Sequence, residues 1–264
     1  MYFAGVDVGS LAIKVCLLDG EAKLVAYNIE KTMAKVREAS EEAFKHCLGE
    51  AGLKPSDVAY IVATGYGRNL AASSFANEKI TEITCHSRGA RFLFPKCYTV
   101  IDVGGQDSKA IRLDDTGRVL KFAMNDKCAA GTGRFLEVMA EALGVKLEEM
   151  GEISLKSERK APITSTCTVF AESEVISLLA SGENPVNIIA GLHEAIAKRI
   201  SSLAKQVGIR SDVVMTGGVA KNVGVVRALE EEIKEKIHVP QEPQIVGALG
   251  AALIAREKAS QKAM

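Results

Sequence analysis

Apolar and polar residues follow two different periods along this chain, and the change between them outlines the secondary structure. Apolar residues with a period of two predict strands, and apolar residues three and four apart predict helices. Strands are predicted at 2–6, 13–17, 58–65, 98–101, 118–123 and 212–216, and helices at 31–51, 81–94, 133–143, 168–181, 185–207, after 222 and in the tail from 245. Because strands and helices alternate in this order, the sequence predicts an α/β fold.

An internal repeat organises the chain. Residues 7–14 read DVGSLAIK and residues 102–109 read DVGGQDSK, and each copy lies between two apolar runs. The pattern predicts two strand-turn-strand units, one in each of two α/β lobes. We expect the first lobe to span 1–97 and to be rejoined by a C-terminal helix at 245–264, and the second lobe to span 98–244.

The composition argues against several classes of protein. The 264 residues carry 33 basic and 33 acidic side chains and no tryptophan. No basic track for phosphates and no stacking platform for bases is therefore indicated, and we expect no nucleic-acid partner. The apolar start breaks at Asp7 without a preceding basic segment, and no apolar run reaches membrane-spanning length. We expect a cytoplasmic protein with no membrane contact.

The six cysteines lie too far apart for a zinc knuckle or a small disulfide framework. Four of them fall within or at the edge of predicted strands and helices and are expected to pack in the core: Cys16, Cys47, Cys85 and Cys97. Cys128 and Cys167 each stand before a predicted helix, in NDKCAAGTGRF and STCTVFAESEVIS. The residues alone do not decide whether these two cysteines are small core residues or ligands.

The two repeated turns have the composition of an anion site. Glycine lets backbone N–H groups approach a phosphate closely, and the turns offer Gly9, Ser10, Gly104 and Gly105. Asp7 and Asp102 would supply two carboxylates to Mg²⁺ on a polyphosphate. Lys14 and Lys109 stand at the same position in the two copies of the repeat. Each could contact a phosphate or could be a solvated surface charge, and the sequence favours neither role.

A third glycine pair, Gly217 and Gly218, follows a predicted buried strand and would let a loop lie against a nucleoside. No GxxxxGK[ST] sequence occurs, so the sequence does not indicate a P-loop.

Together these motifs resemble a known group of ATPases. The two DVG hairpins and the strand-GG loop are similar to the phosphate-1, phosphate-2 and adenosine motifs of the actin, hexokinase and acetate kinase superfamily. ATGYGR (63–68), DVGGQDSK, NDKCAAGTGRF and STCTVFAESEVIS (165–177) more narrowly resemble the activator component, or archerase, of 2-hydroxyacyl-CoA dehydratases. Benzoyl-CoA reductase ATPase subunits are more distantly similar. The resemblance implies a two-lobed actin-like (ribonuclease H-like) ATPase fold with ATP and Mg²⁺ between the lobes.

The resemblance also implies redox chemistry. A 4Fe-4S cubane usually needs four thiolates, and a twofold homodimer would supply them from Cys128 and Cys167 of each copy. The helix that follows each cysteine would stabilise the anionic cluster through its N-terminus. The implied activity is ATP-driven transfer of one electron, with a ferredoxin or flavodoxin as donor and an iron-sulfur protein as acceptor.

ATP hydrolysis would need a group that activates water, and the sequence offers three candidates without choosing among them. Gln106 would orient the attacking water, and either Asp107 or Glu172 would act as the base. Asn222 would contact the nucleoside, or would only cap the helix that follows it.

The identity of the acceptor stays open. Residues 28–43, NIEKTMAKVREASEEA, stand where the family usually carries a Gly/Thr-rich stretch. A dehydratase and a double-cubane cluster protein are therefore both candidate acceptors. Two other functions also remain open, a small-molecule kinase of the same superfamily, such as an amino sugar kinase, and an actin-like assembly ATPase.

Overall fold

The computed structural model describes residues 1–164 and 167–262, and the chain forms two compact units. The first unit contains Met1–Cys97, Asp115–Val119 and the C-terminal segment from Gln244. The second unit contains Tyr98–Asp114 and Leu120–Pro243. Within the described part of the chain, no helix is both long and apolar enough to cross a membrane.

Ten strands and nine α-helices are found in the described residues. The strands are β1 (Tyr2–Val8), β2 (Ala12–Leu18), β3 (Leu24–Lys31), β4 (Val58–Thr64), β5 (Glu78–Lys79), β6 (Thr99–Val103), β7 (Ser108–Leu113), β8 (Val119–Asn125), β9 (Val213–Thr216) and β10 (Ile237–His238). The helices are α1 (Val36–Glu50), α2 (Arg68–Ala72), α3 (Glu82–Leu93), α4 (Gly133–Leu143), α5 (Met150–Ser154), α6 (Thr168–Ala180), α7 (Pro185–Val207), α8 (Val223–Ile233) and α9 (Val246–Lys262).

The first unit is a five-stranded sheet in the order β3-β2-β1-β4-β5, covered on both faces. Alternate side chains of β2, such as Ile13 and Val15, pack with α1 on one face. Cys16 and Leu18 point to the other face and pack with α9. Because helices cover both faces, β1 is buried at nearly every position, as expected for a central strand of an α/β sheet.

The second unit repeats this plan with the sheet order β10-β9-β6-β7-β8. Its core joins the sheet to α4, α6, α7 and α8. Helix α7 begins as the sequence predicts, because Asn184 Oδ1 accepts a hydrogen bond of 3.0 Å from Val186 N and Pro185 occupies the first helical position. The predicted α/β class is confirmed.

The segment after the first hairpin differs from the prediction. The helix expected from residue 31 begins only at Val36, because β3 extends to Lys31 and pairs with β2 along its whole length. Tyr27 and Ile29 belong to this strand and lie opposite Cys16 and Lys14. The pairing with β2 therefore places Lys31 in a strand, and residues 32–35 connect β3 to α1 without helical structure. The short helices α2 and α5 were also not predicted.

Candidate functional site

Both repeated turns have the same construction. In the first unit Asp7 on β1 lies opposite Lys14 on β2, and in the second unit Asp102 on β6 lies opposite Lys109 on β7. Each turn closes through a backbone hydrogen bond, from Gly9 N to Ala12 O at 3.0 Å and from Gly104 N to Asp107 O at 2.9 Å. The sequence repeat is thus a repeat of local structure.

A threonine-glycine pair completes each copy. Thr64 on β4 lies opposite Asp7, and Thr216 on β9 lies opposite Asp102 in the parallel register. The glycine that follows each threonine has a φ near +88° and lies against the aspartate. A Cβ atom on Gly217 would lie 2.9 Å from Asp102 Oδ1 and 2.3 Å from Val103 O, so only glycine fits there.

Sequence reasoning missed both of these threonines. Thr216 Oγ1 donates a hydrogen bond of 2.9 Å to Asp102 Oδ1. The available signal was the second repeated triplet, ATG at 63–65 and MTG at 215–217, each at the end of an apolar strand run. This signal also explains the ATGYGR motif, in which Gly65 packs against Asp7.

The two lysines of the repeat are ion-paired and do not extend into solvent. Lys14 Nζ lies 3.1 Å from Asp7 Oδ2. Lys109 is 3% exposed, and its Nζ lies 3.3 Å from Asp102 Oδ2 and 2.7 Å from Asp107 Oδ2. The reading of these lysines as solvated surface charges is therefore wrong. Lys109 neutralises two carboxylates at the second turn.

The carboxylates fit Mg²⁺ only as part of a metal-nucleotide complex. Among the described residues, no group of three or more His, Cys, Asp or Glu side chains is placed to hold a metal ion. Asp7 and Asp102 each already bind an ammonium group. Mg²⁺ usually keeps several waters and binds to one or two carboxylates and the substrate phosphates. Either carboxylate alone fits that mode, and neither turn offers an all-protein cage among the described residues.

The candidate groups for water activation lie on different elements. Gln106 is exposed at the tip of the second turn, whereas the Asp107 carboxylate is held by Lys109. Glu172 lies on α6. Ser10 is exposed at the tip of the first turn, next to the partly exposed Gly9.

The second turn is bonded directly to α4. The N–H of Gly133 donates to Gly104 O at 2.9 Å, and the N–H of Arg134 donates to Gly105 O at 2.8 Å. The first N–H groups of a helix have no partner within it, and here the turn carbonyls satisfy two of them. The glycine-rich turn and the helix after Cys128 thus form one hydrogen-bonded structure.

The six cysteines fall into two groups by exposure. The buried group consists of Cys16, Cys47, Cys85 and Cys97, whereas Cys128 is partly exposed and Cys167 is exposed. Burial raises the pKa of Cys47 and of Cys85 to about 12, so both remain thiols at neutral pH. Of the six cysteines, only Cys128 and Cys167 reach the protein surface.

The surroundings of these two cysteines differ. Cys167 is the N-cap residue of α6, as predicted, although Ser165 and Thr166 of its motif lie outside the described residues. Cys128 lies four residues before Thr132, the N-cap of α4, and so is not at a helix terminus. Asn125 holds its loop instead, with Nδ2 donating to Cys128 O at 2.8 Å and Oδ1 accepting from Cys128 N at 3.3 Å.

Apolar side chains are exposed next to both cysteines. On α6, Val169, Phe170 and Ile176 are 66%, 68% and 54% exposed, and we call these three residues the α6 apolar face. Strand β8, which leads into the Cys128 loop, exposes Leu120, Phe122 and Met124. Surfaces of this kind mark sites of protein contact.

The short 3₁₀ helix that follows the third glycine pair contributes to the wall of a cavity in the second unit. Gly217 leads into a short 3₁₀ helix, Gly218–Lys221, and Asn222 then caps α8, with Oδ1 accepting from Val225 N at 3.0 Å. A cavity of about 660 Å³ is lined by Lys221, Val223, Arg227, Ile237, Val239 and Glu242, among others. Asn222 does not line this cavity, so the geometry favours its role as a helix cap.

Several proteins similar to this chain are named as activators or components of 2-hydroxyacyl-CoA dehydratases. The activator of lactoyl-CoA dehydratase from Anaerotignum propionicum is 51% identical over 263 residues, covering 99% of this chain and 100% of that protein. The crystal structure of component A of (R)-2-hydroxyglutaryl-CoA dehydratase from Acidaminococcus fermentans has a TM-score of 0.95 at 46% identity, covering 98% of this chain and 99% of that one. The activator of 2-hydroxyisocaproyl-CoA dehydratase from Clostridium difficile, solved with bound ADPNP, has a TM-score of 0.94 at 47% identity, covering 100% of this chain and 98% of that one.

The family assignment follows from these similarities and from a match over almost the whole chain. The sequence pattern of one ATPase family matches residues 4–255, and that range contains both DVG turns, both accessible cysteines and the strand-GG loop. The predicted family resemblance and the predicted actin-like ATPase fold are confirmed. This chain belongs to the BadF/BadG/BcrA/BcrD ATPase family.

Proposed function

We propose that this ATPase transfers single electrons at low potential to an iron-sulfur acceptor protein, as a homodimer with one 4Fe-4S cluster. The observation that carries the proposal is the exposure of Cys128 and Cys167 among six cysteines of which the other four are buried. The hydrogen bonds between α4 and the second glycine-rich turn support the coupling of this region to ATP.

Cys128 and Cys167 fit a shared cluster. One copy offers two accessible thiols, half the usual number for a cubane, and a twofold axis near both residues would supply the other half. When bound, a 4Fe-4S cluster accepts and releases one electron. The free N–H groups at the start of α6 are available to hydrogen-bond the cluster sulfurs next to Cys167.

The α6 apolar face is proposed as part of the dimer contact. Val169 and Phe170 directly follow the Cys167–Thr168 start of the helix, so a second copy that brings its own Cys167 close would cover them. Burial of exposed aromatic and aliphatic side chains is the usual driving force of such contacts.

The two glycine-rich turns are proposed to hold the ATP phosphates through backbone N–H groups. The residues are Gly9, Ser10, Gly104 and Gly105, with Mg²⁺ bound by the phosphates, water and the carboxylates of Asp7 and Asp102. Lys14 and Lys109 limit the negative charge at these turns. The nucleoside is proposed to occupy the cavity beside Gly217 and Gly218. For water activation, Gln106 is proposed to orient the water and Glu172 is favoured as the base, because Lys109 already binds Asp107.

The proposed partners follow from the names of the relatives. Those proteins are named as activators of 2-hydroxyacyl-CoA dehydratases, and a further relative, from Thauera aromatica, is named as part of benzoyl-CoA reductase. We infer that the acceptor here is a 2-hydroxyacyl-CoA dehydratase or a double-cubane cluster protein. The donor is a ferredoxin or flavodoxin, and the protein works in the cytoplasm.

Cysteine variants test the proposal. In protein purified without oxygen, Cys128→Ala and Cys167→Ala should each lose the iron-sulfur absorbance near 400 nm and still bind ATP, because the ATP site uses other segments. The buried Cys97→Ala is the matched control and should keep the absorbance. Iron retained in both Cys128→Ala and Cys167→Ala would contradict the proposal that these two cysteines bind the cluster.

A further inference from the structure

A buried histidine anchors the cap of α8. Because Asn222 Oδ1 accepts from Val225 N, the amide can be oriented in only one way, and its Nδ2 faces Nε2 of His193 on α7 at 3.2 Å. An amide NH₂ can only donate, so Nε2 is the acceptor and carries no proton. His193 is 1% exposed.

The other ring nitrogen continues the chain of hydrogen bonds. His193 Nδ1 carries the proton and donates to Ser154 Oγ at 2.9 Å, and the Ser154 hydroxyl donates to Gly151 O on α5 at 2.7 Å. The acceptor role of Nε2 and the donor role of Nδ1 together fix the tautomer of His193. Burial lowers the pKa of His193 to about 4, in agreement with a neutral ring at physiological pH.

The first turn of α8 packs directly against His193 and Ser154. A Cβ atom on Gly224 would lie 2.4 Å from His193 Nδ1 and 2.1 Å from Ser154 Oγ, so the helix backbone approaches both side chains as closely as a glycine allows. The next residues of the same helix, together with Val223, form one wall of the cavity beside the strand-GG loop. The position of this wall therefore depends on the contact with His193.

We propose that His193 is a positioning residue for nucleotide binding. By accepting the hydrogen bond of Asn222, it holds the cap of α8 and the adjoining cavity wall in the geometry that receives the nucleoside. This inference rests on the proposed nucleotide site and assigns to it a residue that does not touch the ligand.

The test compares His193→Leu with His193→Gln. Leucine removes both hydrogen bonds, whereas glutamine carries an acceptor and a donor on one amide and can rescue them. We expect the Kd for ATP, measured by calorimetry on the full chain, to rise about tenfold in His193→Leu, because loss of one hydrogen bond can lower the population of the binding-competent geometry by about that factor. In His193→Gln the Kd for ATP should stay within about threefold of the wild-type value. The matched control is Ser40→Ala in α1, which removes a buried hydroxyl that donates to Arg37 O at 2.8 Å and does not line the cavity, and which should lower the melting temperature with an unchanged Kd.

Two outcomes would overturn the inference. One is a folded His193→Leu protein with the Kd of the wild type, and the other is an equal rise of Kd in the control Ser40→Ala. If His193→Leu does not fold, Asn222→Ser gives the answer, because serine still caps α8 but removes the amide donor, and its Kd should also rise about tenfold. Failure of the wild-type protein to bind ATP would count against the proposed nucleotide site itself.

Discussion

The N–H of Gly133 donates a hydrogen bond of 2.9 Å to the carbonyl oxygen of Gly104, and this bond joins the first turn of α4 to the second glycine-rich turn. A phosphate that binds to the N–H groups of the turn would move its carbonyl groups as well, because both belong to the same peptide planes. Helix α4 would follow, and with it the loop that carries Cys128. This is a short physical route from the proposed phosphate site to the proposed cluster ligand Cys128.

The substitution Gly133→Ala tests this route. A Cβ atom at this position would lie 3.3 Å from both Gly104 O and Gly105 Cα, which is tight enough to push the helix from the turn. We expect ATP binding to persist and the effect of ATP on the rate of iron removal by a chelator to shrink severalfold. Gly49→Ala in α1 is the matched control, because no atom lies within 4 Å of its Cβ position. An unchanged ATP effect in Gly133→Ala would contradict the route.

Loss of the buried lysine should destabilise the second unit strongly. In Lys109→Met, the buried carboxylate of Asp102 and the partly exposed carboxylate of Asp107 both lose the ammonium group that lies between them. We expect the free energy of unfolding to fall by about 3 kcal/mol, the usual effect of breaking a buried ion pair. Urea denaturation measures this, and Lys14→Met, at a side chain that is 16% exposed, should cost less. An equal fall in the free energy of unfolding in Lys109→Met and Lys14→Met would contradict the idea that deeper burial makes the Lys109 ion pairs more important.

Thiol labelling should separate the six cysteines. In iron-free native protein at pH 8, iodoacetamide should modify Cys128 and Cys167 and spare Cys47 and Cys85, whose pKa is raised to about 12 by burial. Peptide mass mapping after short exposure gives the order of reaction. Labelling of Cys47 as fast as Cys167 would contradict the burial of Cys47.

The buried His193 should make stability depend on pH. Its pKa is about 4 in the folded chain and near 6.5 when unfolded. Above pH 6.5 the ring is neutral in both states, whereas below it the unfolded chain binds a proton that the folded chain does not bind, so the unfolding free energy falls. Between pH 7.5 and 5.0 the wild type should lose about 2 kcal/mol more than His193→Gln in urea denaturation. Identical losses would contradict a neutral buried ring.

Local signals predicted most of the fold. The period of two around Ile13 and Val15, and the Asn184-Pro185 start of α7, are properties of a few neighbouring residues, and both agree with the structure. The start of α1 was predicted too early, because β3 depends on pairing with β2 and not on its own sequence.

The candidate site was predictable in its parts but not in its contacts. The repeated turns are visible in the sequence as DVG, but the pairing of Lys109 with both Asp102 and Asp107 depends on cross-strand register and on burial. The hydrogen bond between Gly104 and Gly133 joins residues 29 positions apart and has no sequence signal. The bond from Asn222 to His193 likewise exists only because α7 and α8 pack together.

The central claim is that two copies of this chain share one cluster through Cys128 and Cys167. It is tested most directly by the iron and acid-labile sulfide content of protein purified without oxygen, together with its mass in solution. We predict a dimer with about four iron and four sulfide per dimer. An iron-free, colourless protein after careful reconstitution would contradict the claim.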